Sequence, residues 1–165
     1  MLNRRGATDL LMSSLVAPLT AQGLRLCGCV QENVERPGAA KCDMLVRTLP
    51  KGRSYQISQS LGAGARGCRL DAGALEQAVA DVADGLRGGA DLVIINKFGK
   101  HEAAGRGFCG VIGEAMAAGI PVLVGLNQLN HNAFLDFSDG MAEPVEADLE
   151  SLLAWVERSV GGSAV

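Results

Sequence analysis

The fold is decided by residues 91–108, which read DLVIINKFGKHEAAGRGF. The stretch opens with an apolar run at positions 92–95 that is rich in β-branched side chains, and polar residues bound the run. This pattern is typical of a strand buried on both faces. Such strands form parallel sheets covered by helices, in which ligands bind beyond the carboxyl ends of the strands. The stretch therefore predicts an α/β fold, with a strand ending at Asn96 and a binding site in the loop that follows.

Helical and extended patterns alternate on both sides of this stretch. The alternation predicts one α/β domain over residues 1–160, in which a mostly parallel sheet is sandwiched by helices. A small β-hairpin insertion is expected at about residues 42–60, and residues 161–165 are expected to be a flexible tail. The predicted helices cover about 8–21, 71–87, 107–118 and 149 onward, the other strands cover 24–30, 44–49, 55–58 and 122–126, and loops cover 31–41 and 127–146.

Composition excludes several classes of function. The 165 residues are 48% hydrophobic and carry a net charge of −3, so no basic field favours nucleic acid. No apolar run approaches the roughly 20 residues that a membrane helix needs, and the amino terminus lacks a signal-peptide pattern. We therefore expect a cytoplasmic protein with reduced cysteines, bound neither to membrane nor to nucleic acid. Whether identical copies associate is left open by the sequence.

The loop after the predicted strand is dense in cations. Lys97, Lys100 and Arg106 lie close to the predicted helix start at Gly107, where free backbone N–H groups favour an anion. The alternative is that these are solvated loop charges and that the glycines only turn the chain. The predicted ligand-binding residues are Asn96, Lys97, Gly99, Lys100, Glu102, Arg106 and Gly107.

Known phosphate-binding motifs do not fit this chain. The pattern G-x-G-x-x-G occurs at glycines 62, 64 and 67 and again at 105, 107 and 110, but neither match follows directly on a predicted strand. A Walker A loop needs a hydroxyl residue after Gly-Lys, whereas His101 follows Gly99 and Lys100. Neither a dinucleotide fold nor a working P-loop is therefore predicted.

Metal binding and nucleophilic catalysis have little support in the sequence. The five cysteines form no Cys-x-x-Cys pair, so buried cysteine is favoured over a thiolate site. Cys42 and Cys68 remain weak metal candidates, because the fold could bring them together. His101 beside Glu102 could act as a base with an orienting carboxylate, but adjacent side chains seldom face each other. No catalytic residue is assigned from these patterns.

An ordered set of short motifs resembles a bacterial family of unknown function. The likeness extends from about Thr8 to Trp155, and NKFGK at residues 96–100 is its most specific part. Members of the family occur in molybdate-transport and nitrogenase gene neighbourhoods. At a greater distance the layout is similar to the cancer-related P-loop nucleoside triphosphatases. The other motifs are CGCVQ at 27–31, CDM at 42–44, GCRLD at 67–71, Glu102 and GIPVL at 119–123.

This chain departs from the remoter relatives at two places. Asn96 and Lys97 stand where they have Asp-Glu, so the carboxylate that would hold Mg²⁺ is absent. The relatives also have a strand and loop before the first helix, whereas here that helix is predicted within ten residues of Met1. Loss of a central strand would leave neighbouring backbone unpaired. We expect that the start is assigned too far downstream; the alternative is that another element fills the gap.

The resemblance implies a three-layer, P-loop-like fold that has lost hydrolysis. The expected function is that of a cytoplasmic anion-binding protein, accessory to molybdenum metabolism, whose ligand is an oxyanion such as molybdate or a nucleotide phosphate. One alternative is a divergent nucleoside triphosphatase that uses Glu102 as its only nearby carboxylate. The other is a non-enzymatic protein-interaction module, in which the charged loop contacts a partner subunit.

Overall fold

The computed structural model describes residues 6–38, 42–50, 52–59 and 70–162. Within these ranges five strands form one sheet, in the order β3-β2-β1-β4-β5. The strands are β1 (Leu26–Val34), β2 (Asp43–Leu49), β3 (Ser54–Gln56), β4 (Leu92–Phe98) and β5 (Val122–Leu126). The helices are α1 (Ala7–Ala21), α2 (Ala72–Arg87), α3 (Lys100–Ala103), α4 (Cys109–Ala117), α5 (His131–Ser138) and α6 (Leu149–Gly161), with a 3₁₀ turn at Gln128–Asn130.

The predicted α/β architecture is confirmed. Strands β1, β4 and β5 run parallel, and the hairpin β2–β3 continues the sheet in the antiparallel sense from the free side of β1. Helices cover both faces of this mixed sheet, and the resulting three layers are consistent with a P-loop-like fold. The sheet is continuous from β3 to β5, and β5 pairs only with β4 among the residues described. No helix in the described ranges is long and apolar enough to cross a membrane.

Strand β4 is buried on both faces, as its sequence predicts. Leu92 and Ile94 belong to an apolar cluster with helices α1 and α6, whereas Val93 and Ile95 belong to one with α2 and α4. All four side chains are fully buried. Burial of each contributes about 1.5–3 kcal/mol, so this short run joins the two layers of helices to the sheet.

A β-bulge near the end of β4 sets the direction of the side chains at the site. Ile95 lies opposite Val124, but Phe98 lies opposite Leu126, so β4 contains one residue more than β5 between these pairs. A bulge re-aims the side chains that follow it. Here Lys97 is exposed while Phe98 is fully buried, with ring centroids 5.3 Å from Phe134 and 5.5 Å from Phe137.

Two predictions of a loop were wrong, and two predicted element ends are displaced by two residues. The loop expected at residues 31–41 is in part strand, because β1 continues to Val34 and pairs there with β2. The loop expected at 127–146 contains helix α5, whose phenylalanines cover Phe98. The strand expected to end at Asn96 continues to Phe98, and the helix expected from Gly107 begins at Cys109.

Asp91 joins the start of β4 to the start of β1, and this link should depend on pH. The Arg25 guanidinium at 2.9 Å and the Arg25 backbone N–H at 2.7 Å hold the pKa of the Asp91 carboxyl below its ordinary value. A carboxyl group with a lowered pKa stabilises the fold above its unfolded-state pKa of about 4, and the stabilisation is lost as pH falls through the folded-state value.

We therefore expect Asp91→Asn to lower the free energy of unfolding by about 1 kcal/mol or less at neutral pH, because the ion pair is partly exposed. The difference from wild type should shrink as pH falls below about 4. Urea unfolding of both proteins across this pH range measures it. A difference that stays constant down to about pH 3 would contradict the role given to Asp91.

Candidate functional site

The predicted site lies at the carboxyl edge, by which we mean the end of the sheet where β1, β4 and β5 terminate. Helices α1 and α2 each precede a parallel strand, so their amino termini lie at this same end, and α3 follows β4 directly. Ligands of open α/β sheets bind at such an edge. The topology therefore brings the loop after β4 together with the first turns of α1 and α2.

Three cations of this loop have no partner in the described part of the chain. Lys97, Lys100 and Arg106 are exposed, and none of their side chains makes a hydrogen bond or an ion pair with a described residue. By contrast, five arginines elsewhere on the molecule pair with carboxylates. They are Arg25, Arg36, Arg47, Arg53 and Arg87. The three cationic side chains of this loop are thus not ion-paired with the described residues.

Asn96 is a structural residue at this edge. It is only 3% exposed, its Oδ1 accepts the Gln31 backbone N–H at 2.9 Å, and its Nδ2 donates to Asp9 Oδ1 at 2.8 Å. Asp9 also accepts from Asn33 Nδ2 at 2.8 Å, so one carboxylate ties α1 to both β1 and β4. Both polar atoms of the Asn96 side chain therefore have protein partners, and the side chain holds the fold together at this edge.

Glu102 is buried beneath the loop, with 5% of its surface exposed. Its Oε2 accepts the Gly99 backbone N–H at 2.9 Å, and its Oε1 accepts the Phe108 backbone N–H at 3.2 Å. Both oxygens are thus used to join the end of β4 to the start of α4. A carboxylate held in this way stabilises the loop conformation, and each of its oxygens accepts one backbone N–H group.

The Gly107 N–H group already donates to a carboxylate of the protein. Glu76 reaches over from α2, and its Oε1 lies 3.1 Å from the Gly107 N and 3.0 Å from His101 Nε2. Gly107 has a φ of +62°, and a Cβ there would lie 2.0 Å from Glu102 Oε1, so only glycine fits. The loop backbone therefore passes between two carboxylates, Glu76 and Glu102.

A shallow cavity of about 520 Å³ opens between this loop and the first turn of α2. Glu76, His101, Arg106 and Gly107 line it. Sequence reasoning missed Glu76, because nothing in the pattern of α2 marks one polar position on its exposed face as reaching the loop. The same reasoning considered Glu102 as the orienting partner of His101, whereas the structure pairs His101 with Glu76 and directs Glu102 elsewhere.

The cysteines form no metal site in the described residues, which contain no group of three metal-ligating side chains. Cys27 and Cys29 are buried beneath α2, and burial raises the pKa of Cys29 to about 12, so it is an inert thiol. Burial also raises the pKa of Cys109, whose Sγ donates to the Glu102 carbonyl oxygen at 3.1 Å. Cys42 is partly buried, whereas Cys68 and glycines 62, 64 and 67 lie outside the described residues.

Comparison with known families places this sheet and loop in one of them. The family described as "Protein of unknown function (DUF2478)" matches residues 1–155. The chain belongs to this family. The molybdenum import ATP-binding protein ModC 2 of Bradyrhizobium diazoefficiens is 36% identical to it over 147 residues. These residues are 89% of the DUF2478 chain and 16% of the relative, so the chain spans about a sixth of the relative's length.

The search of solved structures finds no significant match to the chain. The sequence comparison confirms that the chain belongs to a family of unknown function, as the motifs predict. The expected link to molybdate transport agrees with the name of the relative. The remoter likeness to cancer-related P-loop nucleoside triphosphatases stays a prediction.

Proposed function

We propose that the protein binds a small oxyanion at the carboxyl edge, either molybdate or the phosphate of a nucleotide. The observation that carries this proposal is a set of three exposed cations on one loop at the ligand-binding end of the sheet, whose side chains have no partner among the residues described: Lys97, Lys100 and Arg106. Multiple cations and backbone N–H groups are the donors that bind oxyanions in proteins. The bulge in β4 supports the proposal, because it exposes Lys97 while Phe98 enters the core.

Molybdate is favoured as one ligand by the relative. A protein named for molybdenum import and ATP binding contains a segment similar to nearly all of this chain. We propose that the chain acts in the cytoplasm as an accessory to molybdenum metabolism and senses or retains the anion. A nucleotide phosphate, like molybdate, presents tetrahedral oxygens with negative charge, so the cations of the loop could bind either ligand.

Binding is preferred to hydrolysis because the two positions that a triphosphatase would use at this edge, Asn96 and Glu102, already have other partners in the protein. Asn96 occupies the position of the expected Mg²⁺-holding carboxylate, and its amide is hydrogen-bonded to Gln31 and Asp9. Both oxygens of Glu102 accept hydrogen bonds from backbone N–H groups. The carboxylate on the loop after β4 is therefore buried and engaged with the backbone, which favours binding over hydrolysis.

Calorimetric titration with molybdate, tungstate, sulfate, ATP and GTP tests the proposal. We expect at least one of these anions to bind, and the combined variant Lys97→Ala, Lys100→Ala and Arg106→Ala to weaken binding by about a hundredfold, since each exposed charge contributes about 1 kcal/mol. The affinity should also fall with added salt. Lys100→Ala alone should weaken binding by about fivefold.

The control is Arg158→Ala, which removes an exposed cation from α6, far along the chain from the loop. It should leave the affinity within about twofold of wild type. No heat from any of the five anions, or an affinity unchanged in the combined variant, would overturn the proposed function.

A further inference from the structure

Two hydrogen-bond donors in the cavity converge on a single oxygen atom. The Gly107 backbone N lies 3.1 Å from Glu76 Oε1, and His101 Nε2 lies 3.0 Å from the same oxygen. An ionised carboxylate can only accept, so both groups donate to it. Arg106 lines the same cavity, and its side chain has no partner among the described residues. Two donors on one carboxylate oxygen, with an arginine lining the same cavity, are the kinds of group that bind an oxyanion.

Glu76 differs from Glu102 in how firmly it is held. Glu102 is buried, and both of its oxygens accept backbone N–H groups. The Glu76 side chain is half exposed, and only its Oε1 is hydrogen-bonded to a described residue. Glu76 belongs to α2, whereas both donors follow β4. A rotation of the Glu76 side chain into solvent would free both donors without moving the backbone of the loop. Glu102 cannot rotate into solvent in the same way, because it is buried and hydrogen-bonded through both oxygens.

We infer that Glu76 is an internal competitor for the anion, and that the oxyanion binds by displacing the Glu76 carboxylate from the Gly107 N–H and His101 Nε2. This inference rests on the proposed function and names the residue that regulates its affinity. A donor set that is free for only a fraction of the time lowers the apparent affinity by that fraction. Glu76 also repels the incoming charge, so it would reserve the site for oxyanions present at high concentration.

Removal of the competitor tests the inference. We expect Glu76→Ala to bind molybdate or ATP about tenfold more tightly than wild type in calorimetric titration. Glu76→Gln should bind more tightly by a smaller factor, because its amide oxygen can still accept both donors, although more weakly than a carboxylate oxygen does. The control for net charge is Glu157→Gln, an exposed position on α6, which should change the affinity by less than about twofold.

The amide resonance of Gly107 gives a second readout, which a general change in charge would not move. In ¹⁵N spectra of wild type, molybdate or ATP should shift this resonance as its acceptor changes from carboxylate to ligand. In Glu76→Ala the resonance should be shifted before any ligand is added, and it should respond at lower ligand concentration.

The outcomes separate this inference from the proposed function. Binding by wild type with an unchanged or weaker affinity in both Glu76 variants would overturn the inference and leave the proposed function standing. Absence of binding in wild type and in both variants would overturn the proposed function and the inference with it. If Glu76→Ala fails to fold, Glu76→Gln and the Gly107 resonance in wild type decide the question.

Discussion

Replacing Gly28 with alanine is expected to lower the free energy of unfolding by about 2–6 kcal/mol, a large part of the stability of a domain of this size. Gly28 lies in β1, between its partners Leu49 on β2 and Ile94 on β4. Its φ is +119°, and a Cβ there would lie 1.9 Å from the Ile94 carbonyl oxygen. The substitution therefore adds backbone strain of about 1–3 kcal/mol to overpacking of about 1–3 kcal/mol.

The matched control is Gly113→Ala in the middle of α4. Gly113 has no positive φ, and nothing lies within 4 Å of its added Cβ. Alanine should there stabilise the helix by up to about 1 kcal/mol. Denaturant unfolding followed by circular dichroism compares the two variants. Equal stability of Gly28→Ala and wild type would contradict the close approach of β1 to β4.

The second large effect is expected for Glu102→Ala, which should lower the free energy of unfolding by about 3 kcal/mol. The substitution removes the acceptor from the Gly99 N–H and from the buried N–H of Phe108. Hydrogen bonds to a charged group contribute about 1.5–3 kcal/mol each, and Phe108 would keep a donor that water cannot reach. The loop that carries Lys100 and Arg106 should lose its conformation as a result.

Glu102→Gln distinguishes this structural role from the catalytic alternative. Glutamine offers one oxygen and one N–H₂ group, so it can satisfy only one of the two backbone donors. We expect an intermediate loss of stability, of about 1–2 kcal/mol. The control Glu114→Gln, at an exposed position on α4, should stay within about 0.5 kcal/mol of wild type. A Glu102→Gln protein of wild-type stability that loses Mg²⁺-dependent phosphate release would instead favour the triphosphatase alternative.

Much of the fold could be predicted from local sequence signals. The run at residues 92–95 predicts β4. Asp71 predicts the start of α2, where its carboxylate accepts the Ala74 N–H at 3.0 Å. These elements are determined by residues that are neighbours in the chain. The bulge in β4 could not be predicted, because it depends on the register with β5 and on the burial of Phe98 under α5. Helix α5 was missed because its polar residues resemble those of a loop. The contacts of Phe134 and Phe137 with Phe98 form only in the folded chain.

The candidate site was predicted in part for the same reason. The cations Lys97, Lys100 and Arg106 lie on one short segment, so sequence alone gathers them. Glu76 is 31 residues from the Gly107 N–H that it accepts, and Asp9 is 87 residues from the Asn96 amide. Such contacts exist only after the chain has folded. They change the description of the site, because they show which polar groups of the loop are already used by the protein.

The most direct measurement of the central claim is a map of backbone amide shifts in ¹⁵N-labelled protein titrated with molybdate and, separately, with ATP. The account predicts saturable shifts confined to the loop from Lys97 to Phe108 and the first turns of α2, and their loss in the combined Lys97→Ala, Lys100→Ala and Arg106→Ala variant. Saturable shifts centred elsewhere, or none at all with either anion, would contradict an oxyanion site at the carboxyl edge of this sheet.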